Sequence, residues 1–453
     1  MKILVLGAGY VGLTTSACLA ELGHEVTCCD IDDTRVASLN RAEVPIFEPG
    51  LSELIAAQME AGRLRFSADA EAMAGDVAAV FVAVGTPSAP NGDIDLSYVE
   101  AAAIGIAPHL RKNAVVIIKS TVVAGTARRV KKLVDASRGT SDIAVASNPE
   151  FLREGSAIND FLCADRIVIG VDDASSEALL LDLYKPLTDT GIPLLATQTV
   201  NAELIKYAAN ALLALKIGFI NDVADLCEAL GGDVSAVADG IGRDHRIGGA
   251  FLAAGPGFGG SCFPKDTRAF ASTGRKFGAP QPLIETLIDS NEARKAALAD
   301  RIITATPARG RVAVLGTSFK ANTDDVREAA ALTIVPRLIE AGLEVHAHDP
   351  QPGAAKPLLT GVQWHDTAME AARGADVTVV LTEWDEYRAL DLLRLAKTMR
   401  GRQLLDFRNI LTGEAAARAG LHYHGIGRPS VAPKPVRRGQ GSAASLQVAA
   451  SPA

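Results

Sequence analysis

Cys262 lies in the run Gly257-Phe-Gly-Gly-Ser-Cys-Phe-Pro-Lys-Asp266. A thiol attacks an aldehyde to give a thiohemiacetal, which can be oxidised again to a thioester. A cysteine by itself is as readily a small buried hydrophobe. Its neighbours change the balance. Gly257, Gly259 and Gly260 are costly unless the backbone must approach something closely. Lys265 and Asp266 put charge within a few residues, and such surroundings can tune a thiolate. Far upstream stands Gly7-Ala-Gly-Tyr-Val-Gly12. Gly7, Gly9 and Gly12 permit a tight turn, a close approach to a pyrophosphate and helix packing on a strand. A helix N-terminus behind them offers N–H donors to phosphates. Asp30 falls about 20 residues on, where a carboxylate takes a ribose 2′-hydroxyl and repels a 2′-phosphate. The spacing predicts NAD as cofactor. A hydride acceptor and a thiol together point to an alcohol oxidised beyond the aldehyde to the acid.

Other side chains fit this chemistry. Lys206 and Asn210 are four apart in a helical stretch, hence on one face. A cation beside an amide can hold an alkoxide or oxyanion. A solvated face is the plain alternative, countered by the apolar neighbours Leu204, Ile205, Tyr207, Ala208, Leu212 and Leu213. Glu150 and Glu154 lie in Asn148-Pro-Glu-Phe-Leu-Arg-Glu154, in a loop after a strand. A carboxylate there can act as general base toward water, or be an ordinary solvated loop residue. Lys320, Asn322, Asp324, Asp325 and Arg327 follow a later strand, and Arg246 belongs to Arg243-Asp-His-Arg246. Each is either a fork for an anionic ligand or surface charge.

The elements that must position these groups follow from periodicity. Lys2–Leu6, the helical stretch Val11–Leu22 and Glu25–Asp30 give strand, glycine turn, helix, strand. Val77–Val84, Ala114–Ile118 and Ile143–Ala146 continue as strands. Turn chemistry follows the first two at Gly85-Thr86-Pro87 and Ser120-Thr121, and ligands bind at such strand ends. The pattern recurs without the glycine fingerprint. Arg311–Leu315, the helical stretch Ala330–Ala341, Glu344–Asp349, Val377–Leu381 and Gln403–Asp406 form a second unit for a different phosphate ligand. Between the units, Asn201–Leu230 predicts a helix long for a globular protein. It reads as an inter-domain spine whose surplus apolar surface serves a dimer. The fold class is therefore α/β, two Rossmann-like doubly wound parallel-sheet domains joined by a long central helix. The expected boundaries are 1–198, 199–298 with the cysteine loop, 299–428, and a disordered Ser/Ala/Pro/Gly-rich tail over 429–453.

Bulk properties narrow the class. The 453 residues exceed one ordinary core. With 45 basic and 53 acidic residues, net −8, the chain is not expected to bind nucleic acid. The six cysteines show no metal-ligand spacing, so no metal site is expected. Their scatter fits a reducing, cytoplasmic setting. No uncharged apolar stretch is long enough to span a bilayer, and the N-terminus reads as a strand, not a signal peptide.

Taken together, the motifs resemble the UDP-glucose 6-dehydrogenase family, within the nucleotide-sugar dehydrogenases. The segments are GAGYVG at Gly7–Gly12, VPIFEPGL at Val44–Leu51, VGTP at Val84–Pro87, STV at Ser120–Val122 and NPEFLREG at Asn148–Gly155. KYAAN at Lys206–Asn210, GPGFGGSCFPKD at Gly255–Asp266 and FKANTDDVRE at Phe319–Glu328 complete the series, in family order over about residues 1–428. Arg327 is followed by Glu-Ala-Ala where many members have Glu-Ser-Pro.

The resemblance implies oxidation of UDP-glucose to UDP-glucuronate with two NAD, in a homodimer. Cys262 would be the nucleophile. Lys206 and Asn210 would hold oxyanions, with Lys206 also an acid/base. Thr121, Glu150 and Asp266 would order or activate water. Gly7, Gly9, Tyr10, Val11, Gly12, Asp30, Arg35, Thr86, Thr121, Glu154, Lys265 and Arg327 would contact NAD. Glu150, Phe151, Leu152, Arg153, Lys206, Asn210, Arg246, Phe251, Leu252, Gly257, Phe319, Lys320 and Arg408 would hold the nucleotide sugar, Arg246 reaching the partner subunit's site. Other sugars compete: GDP-mannose, UDP-N-acetylmannosamine or UDP-N-acetylgalactosamine. A two-electron hydroxy-acid dehydrogenase also pairs a Lys with an Asn one helical turn on, but needs neither Cys262 nor a second nucleotide domain. A non-catalytic NAD-binding regulator is the most distant alternative.

Overall fold

The computed structural model describes residues 1–89 and 92–433. The tail beyond 433 lies outside the described residues. The apolar runs become two sheets. The first contains β1 (Lys2–Leu6), β2 (Glu25–Cys29), β3 (Leu64–Ser67), β4 (Ala79–Val82), β5 (Val115–Ile118), β6 (Ala144–Ser147), β7 (Ile167–Gly170) and β8 (Leu194–Thr197), in the order 3-2-1-4-5-6-7-8. The second contains β9 (Arg311–Leu315), β10 (Glu344–His348), β11 (Gln363–Trp364), β12 (Val377–Val380), β13 (Gln403–Asp406) and β14 (His422–Gly425), in the order 11-10-9-12-13-14. Strands buried on both faces, such as Ala79–Val82 and Val115–Ile118, are continuous apolar runs because helices cover both sides.

One junction departs from the all-parallel expectation. β6 and β7 meet antiparallel, at the single pair Ser147↔Gly170, and β7 and β8 are parallel to each other. Gly170 of that pair also gives the long helix room to close in. A side chain there would come within 2.7 Å of Ala202 and 2.8 Å of Thr199, at the start of the long helix.

That helix runs Thr199–Leu230, 32 residues, or about 48 Å. It touches β6 and β7 of the first unit, then the helices Phe263–Lys276 and Pro282–Ala305. Gly218 lets Pro282–Ala305 close on it, since a Cβ would stand 2.2 Å from Leu287. Its apolar neighbours do not close off every face: Leu204, Leu212, Phe219, Leu226 and Leu230 are exposed along this helix. Packed structure also continues past residue 428. Tyr423 and Val431 exchange backbone hydrogen bonds at 3.0 Å, and Val431 packs on the core of the second sheet.

Candidate active site

Cys262 is the N-cap residue of the helix Phe263–Lys276, which Pro264 helps to start. The preceding glycines do approach something closely, and it is the chain itself. A Cβ on Gly259 would lie 2.5 Å from the Glu328 carbonyl, and one on Gly260 2.8 Å from the Phe319 ring. Gly260 N–H donates to the Arg327 carbonyl at 2.8 Å. Behind the loop, Asn291 accepts from Phe258 N–H at 2.9 Å and donates to its carbonyl at 3.1 Å. The cysteine is thereby held between the second unit and the Pro282–Ala305 helix.

Two cavities meet at this point. The first, of about 790 Å3, is lined by Phe151, Arg153, Lys206, Asn210, Phe251, Gly257, Phe319, Lys320 and Arg408, among others. The second, about 680 Å3, is lined by Gly9, Tyr10, Val11, Thr86, Thr121, Lys265 and Arg327. Glu150, Leu152, Glu154, Gly260, Ser261 and Cys262 belong to both. The thiol therefore stands in the shared wall between a large pocket and the mouth of the glycine turn.

The expected ion holders converge there. Lys206 is 3% exposed and donates to Glu150 Oε1 at 2.8 Å. Asn210 Nδ2 donates to Asp266 Oδ2 at 2.6 Å, and Lys265 Nζ to Asp266 Oδ1 at 2.6 Å. Burial alone would raise Glu150. Lys206, the Leu152 N–H and Lys119 outweigh it and hold the carboxyl below its usual range. Burial opposes the charge on Lys206, but Glu150, Cys262 and Asp266 keep its pKa above the ordinary value. The pair is thus ammonium and carboxylate. Glu150 is buried and paired, not a solvated loop residue.

Cys262 departs from the expectation of a tuned thiolate. Lys265 directs its charge to Asp266. Burial, then Glu150, push the thiol up to about 11, with Lys206 the main opposing charge. Ser261 Oγ lies 3.5 Å from Cys262 Sγ and donates to Glu154 Oε1 at 3.0 Å. Burial, then Asp325, raise Glu154 to about 7.

The glycine fingerprint divides its labour. Gly7 has φ +100° and would clash with the Ala83 carbonyl at 2.7 Å if it carried a Cβ. Gly12 would meet the Gly7 carbonyl at 1.8 Å, so it seats helix on strand. At Gly9 an added Cβ meets nothing within 4 Å. That is the open position a pyrophosphate needs, at the N-terminus of the helix Tyr10–Glu21. Asp30 accepts Ala8 N–H at 2.7 Å and pairs with Arg35 at 3.2 Å, at the end of β2. Gly7, Gly12, Asp30 and Arg35 frame the turn but do not line the cleft. Tyr10 donates its hydroxyl to Glu48, which also accepts Gly155 N–H at 2.6 Å and Ala157 N–H at 2.8 Å.

Asp266 is buried beside the site and lines neither cavity, and two further expected residues lie elsewhere. Leu252 is 5% exposed and packs with Ile220, Val234 and Leu298 in the hydrophobic core, so it does not line the sugar pocket. Arg246 lines neither cavity; its side chain is 77% exposed and paired with Asp244 at 2.5 Å. Sequence reasoning missed Lys119, Glu48 and Arg166. Lys119 and Arg166 line the large pocket, and Arg166 stacks 3.7 Å from the centre of the Phe151 ring. Glu48 was visible only as part of VPIFEPGL.

Comparison with known proteins matches three segments to one family. Residues 1–188 match the NAD binding domain of the UDP-glucose/GDP-mannose dehydrogenase family, 200–293 its central domain and 313–413 its UDP binding domain. A UDP-glucose 6-dehydrogenase of Rhizobium meliloti is 47% identical over 436 residues, covering 95% of this chain and 100% of that one. UDP-glucose 6-dehydrogenase TuaD of Bacillus subtilis is 43% identical, covering 95% and 94%. Among solved structures, a UDP-glucose dehydrogenase from Pyrobaculum islandicum superimposes with a TM-score of 0.87 at 39% identity, covering 94% and 98%. A UDP-D-ManNAc dehydrogenase from Pyrococcus horikoshii gives 0.84 at 27% identity, covering 94% and 99%.

Proposed function

Because this chain belongs to the UDP-glucose/GDP-mannose dehydrogenase family, we propose that it oxidises the C6 alcohol of UDP-glucose twice and releases UDP-glucuronate, with Cys262 as covalent carrier. One observation carries this reading: the cysteine stands where the large pocket meets the cleft of the glycine turn. A two-electron hydroxy-acid dehydrogenase would leave both Cys262 and the second unit without a task.

The open face at Gly9, with Asp30 at the end of β2, fits NAD. Gly9, Tyr10, Val11, Thr86, Thr121, Lys265 and Arg327 would hold it. When bound, NAD supplies the hydride acceptor, one molecule for each of the two oxidations. The large pocket lies within the ~300–1,000 Å3 usual for small-molecule sites. Phe319, Lys320 and Arg408 of the second unit would face the nucleotide, and Phe151, Leu152, Arg153, Phe251 and Gly257 the rest.

The chain's own groups carry the covalent steps. The sulfur of Cys262 bonds to C6 of the aldehyde as the C=O pair moves onto oxygen, and the thiol proton passes to Glu150, which returns it to solvent before hydrolysis. The resulting oxyanion takes hydrogen bonds from Lys206 and Asn210, worth on the order of 3 kcal/mol per donor in such sites. Loss of the second hydride leaves a thioester. Water then attacks, Glu150 accepts its proton, and the C–S bond breaks. The electron pair leaves on sulfur, and the raised proton affinity of Cys262 favours its reprotonation. Thr121 and Asp266 would orient the water.

The reading includes a homodimer. The exposed residues Leu204, Leu212, Phe219, Leu226 and Leu230 on one long helix support it, and Arg246, turned away from both cavities, would complete the partner's site. No described helix is long and apolar enough to cross a membrane. The six free cysteines support a reducing, cytoplasmic compartment.

The test counts NADH per sugar consumed, with UDP-glucose, GDP-mannose, UDP-N-acetylmannosamine and UDP-N-acetylgalactosamine. Two NADH per UDP-glucose is expected. One NADH per sugar, or turnover of another sugar only, overturns the reading.

A further inference from the structure

Lys119 follows β5 directly and precedes the Ser120-Thr121 turn of the cofactor cleft. Its own side chain turns the other way and lines the sugar pocket, only 4% exposed. It forms no ion pair among the described residues. Nζ donates to Asn148 Oδ1 at 3.0 Å and stands 5.6 Å from the centre of the Phe161 ring. The same Oδ1 accepts the Tyr184 hydroxyl at 2.5 Å, and Asn148 Nδ2 donates to the Val168 carbonyl at 2.8 Å. That last bond fixes the amide with its oxygen toward Lys119. Asn148 opens the turn that ends in Glu150.

A buried ammonium group with one amide as its hydrogen-bond acceptor is expensive unless its charge is used. The charged and titratable groups acting on it are Glu150, Lys206 from the long helix and Cys18 from the helix Tyr10–Glu21; Tyr184 adds its hydroxyl. Burial lowers Lys119 to about 8, which still leaves it largely charged at neutral pH. Glu150 is therefore acted on by two cations, and only Lys206 is bonded to it.

We propose that Lys119 is a positioning residue for thioester hydrolysis: it fixes the Asn148–Glu150 turn and keeps the Glu150 carboxylate ready to accept a proton while Lys206 is engaged by an oxyanion. Hydrolysis transfers a proton from water to Glu150 as the C–O bond forms. At that moment Lys206 divides its charge between two anions. A second fixed cation then decides whether Glu150 remains a base. The inference rests on the thioester reading above.

The test compares Lys119→Met, which removes the charge, with Lys119→Arg, which keeps it. Turnover is followed against pH at saturating UDP-glucose and NAD. Acid-quenched protein is weighed by intact mass spectrometry. Lys119→Met is expected to lower kcat on the order of tenfold or more, with KM for UDP-glucose little changed. Its acid limb should move up by about one pH unit, because loss of a nearby cation raises a carboxylate. The acyl adduct on Cys262 should accumulate, and Lys119→Arg should restore most of the rate. An unmoved acid limb, an absent adduct, or equal damage in both variants overturns the proposal. Asn148→Asp guards against misfolding of Lys119→Met. It neutralises Lys119 in place and must move the limb the same way; an unmoved limb in that variant also overturns the role. Wild-type stoichiometry judges the function separately: two NADH per UDP-glucose with an unmoved limb sinks Lys119 alone.

Discussion

The two sheet units share a strand order at their centres, 3-2-1-4-5 and 11-10-9-12-13, yet use it differently. In the first, the helix Tyr10–Glu21 begins soon after β1, and Gly9 leaves its N-terminus open. In the second, Gly316 stands directly after β9 as Gly7 does after β1, with φ +92° and no room for a side chain, which would strike Thr382 at 2.4 Å. Its helix, Ala330–Glu340, starts only after a long segment. That segment carries Phe319, Lys320 and Arg327 out to the cysteine loop and the first unit. The carboxylates after the second strands diverge likewise. Asp30 accepts one turn N–H and pairs with Arg35, whereas Asp349 accepts the N–H groups of Thr317 and Ser318. One topology thus serves either as a phosphate cradle or as a foundation for a reaching loop. The length of chain between the first strand and its helix decides which.

The largest break comes where the units meet. Cys262→Ser should lower UDP-glucuronate formation by about 10³-fold or more, since the thiol would be the covalent carrier. Undiminished acid production, measured by chromatography, would remove the thiol from the mechanism.

The two glycines should then fail in opposite ways. Gly9→Ala fills open space, so its melting temperature should hold while KM for NAD rises on the order of tenfold. Gly316→Ala forces a side chain into Thr382 at a positive φ and should cost about 2–3 kcal/mol of stability. Calorimetry beside NAD titration separates them; the same signature from both would erase the distinction.

The carboxylates give a smaller contrast. Asp30→Asn should narrow the preference for NAD over NADP by about tenfold. Asp349→Asn should leave that ratio unchanged and lower the melting temperature.

The smallest effect is electrostatic. Glu154 joins the units through Ser261 and Thr323, and burial raises it to about 7. A raised folded pKa adds stability below the unfolded value near 4.5, and that stability is lost as pH rises toward 7. Glu203 behaves alike, raised to about 7 by burial while it accepts the Gly125 and Ala127 N–H groups. Glu154→Gln should therefore remove part of the decline between about pH 4.5 and 7, on the order of 1 kcal/mol. Melting temperature against pH reads it.

Much of this is legible in the amino-acid sequence. Arg311–Leu315 and the long helix were readable because unbroken apolar runs and helical periodicity need no tertiary information. Cys262 stood out by its glycines, although their reason was half seen: they admit the protein's own Phe319 and Glu328. Lys119 was illegible. Its burial depends on Asn148, Phe161 and Tyr184, which are distant in sequence and bear no local mark. Leu252 came from the resemblance alone, and the burial of its side chain against Ile220 and Leu298 is decided by packing that no local pattern marks. The reversal between β6 and β7 was hidden for a similar reason, since strand direction is set by the connection rather than by the strand.

The fastening of the cysteine loop bears on modular engineering. Gly260 to Arg327, Thr323 to Glu154 and Arg268 to Glu328 join the reaching segment to both other parts of the chain. A nucleotide module grafted from another chain, with its cut near residue 306, would bring a foreign lip against a native cysteine loop. Shape rather than linker length would decide whether such a chimera works. The unit of exchange is the lip together with Glu154, Gly259, Gly260 and Arg268, a composite drawn from three separate stretches of sequence.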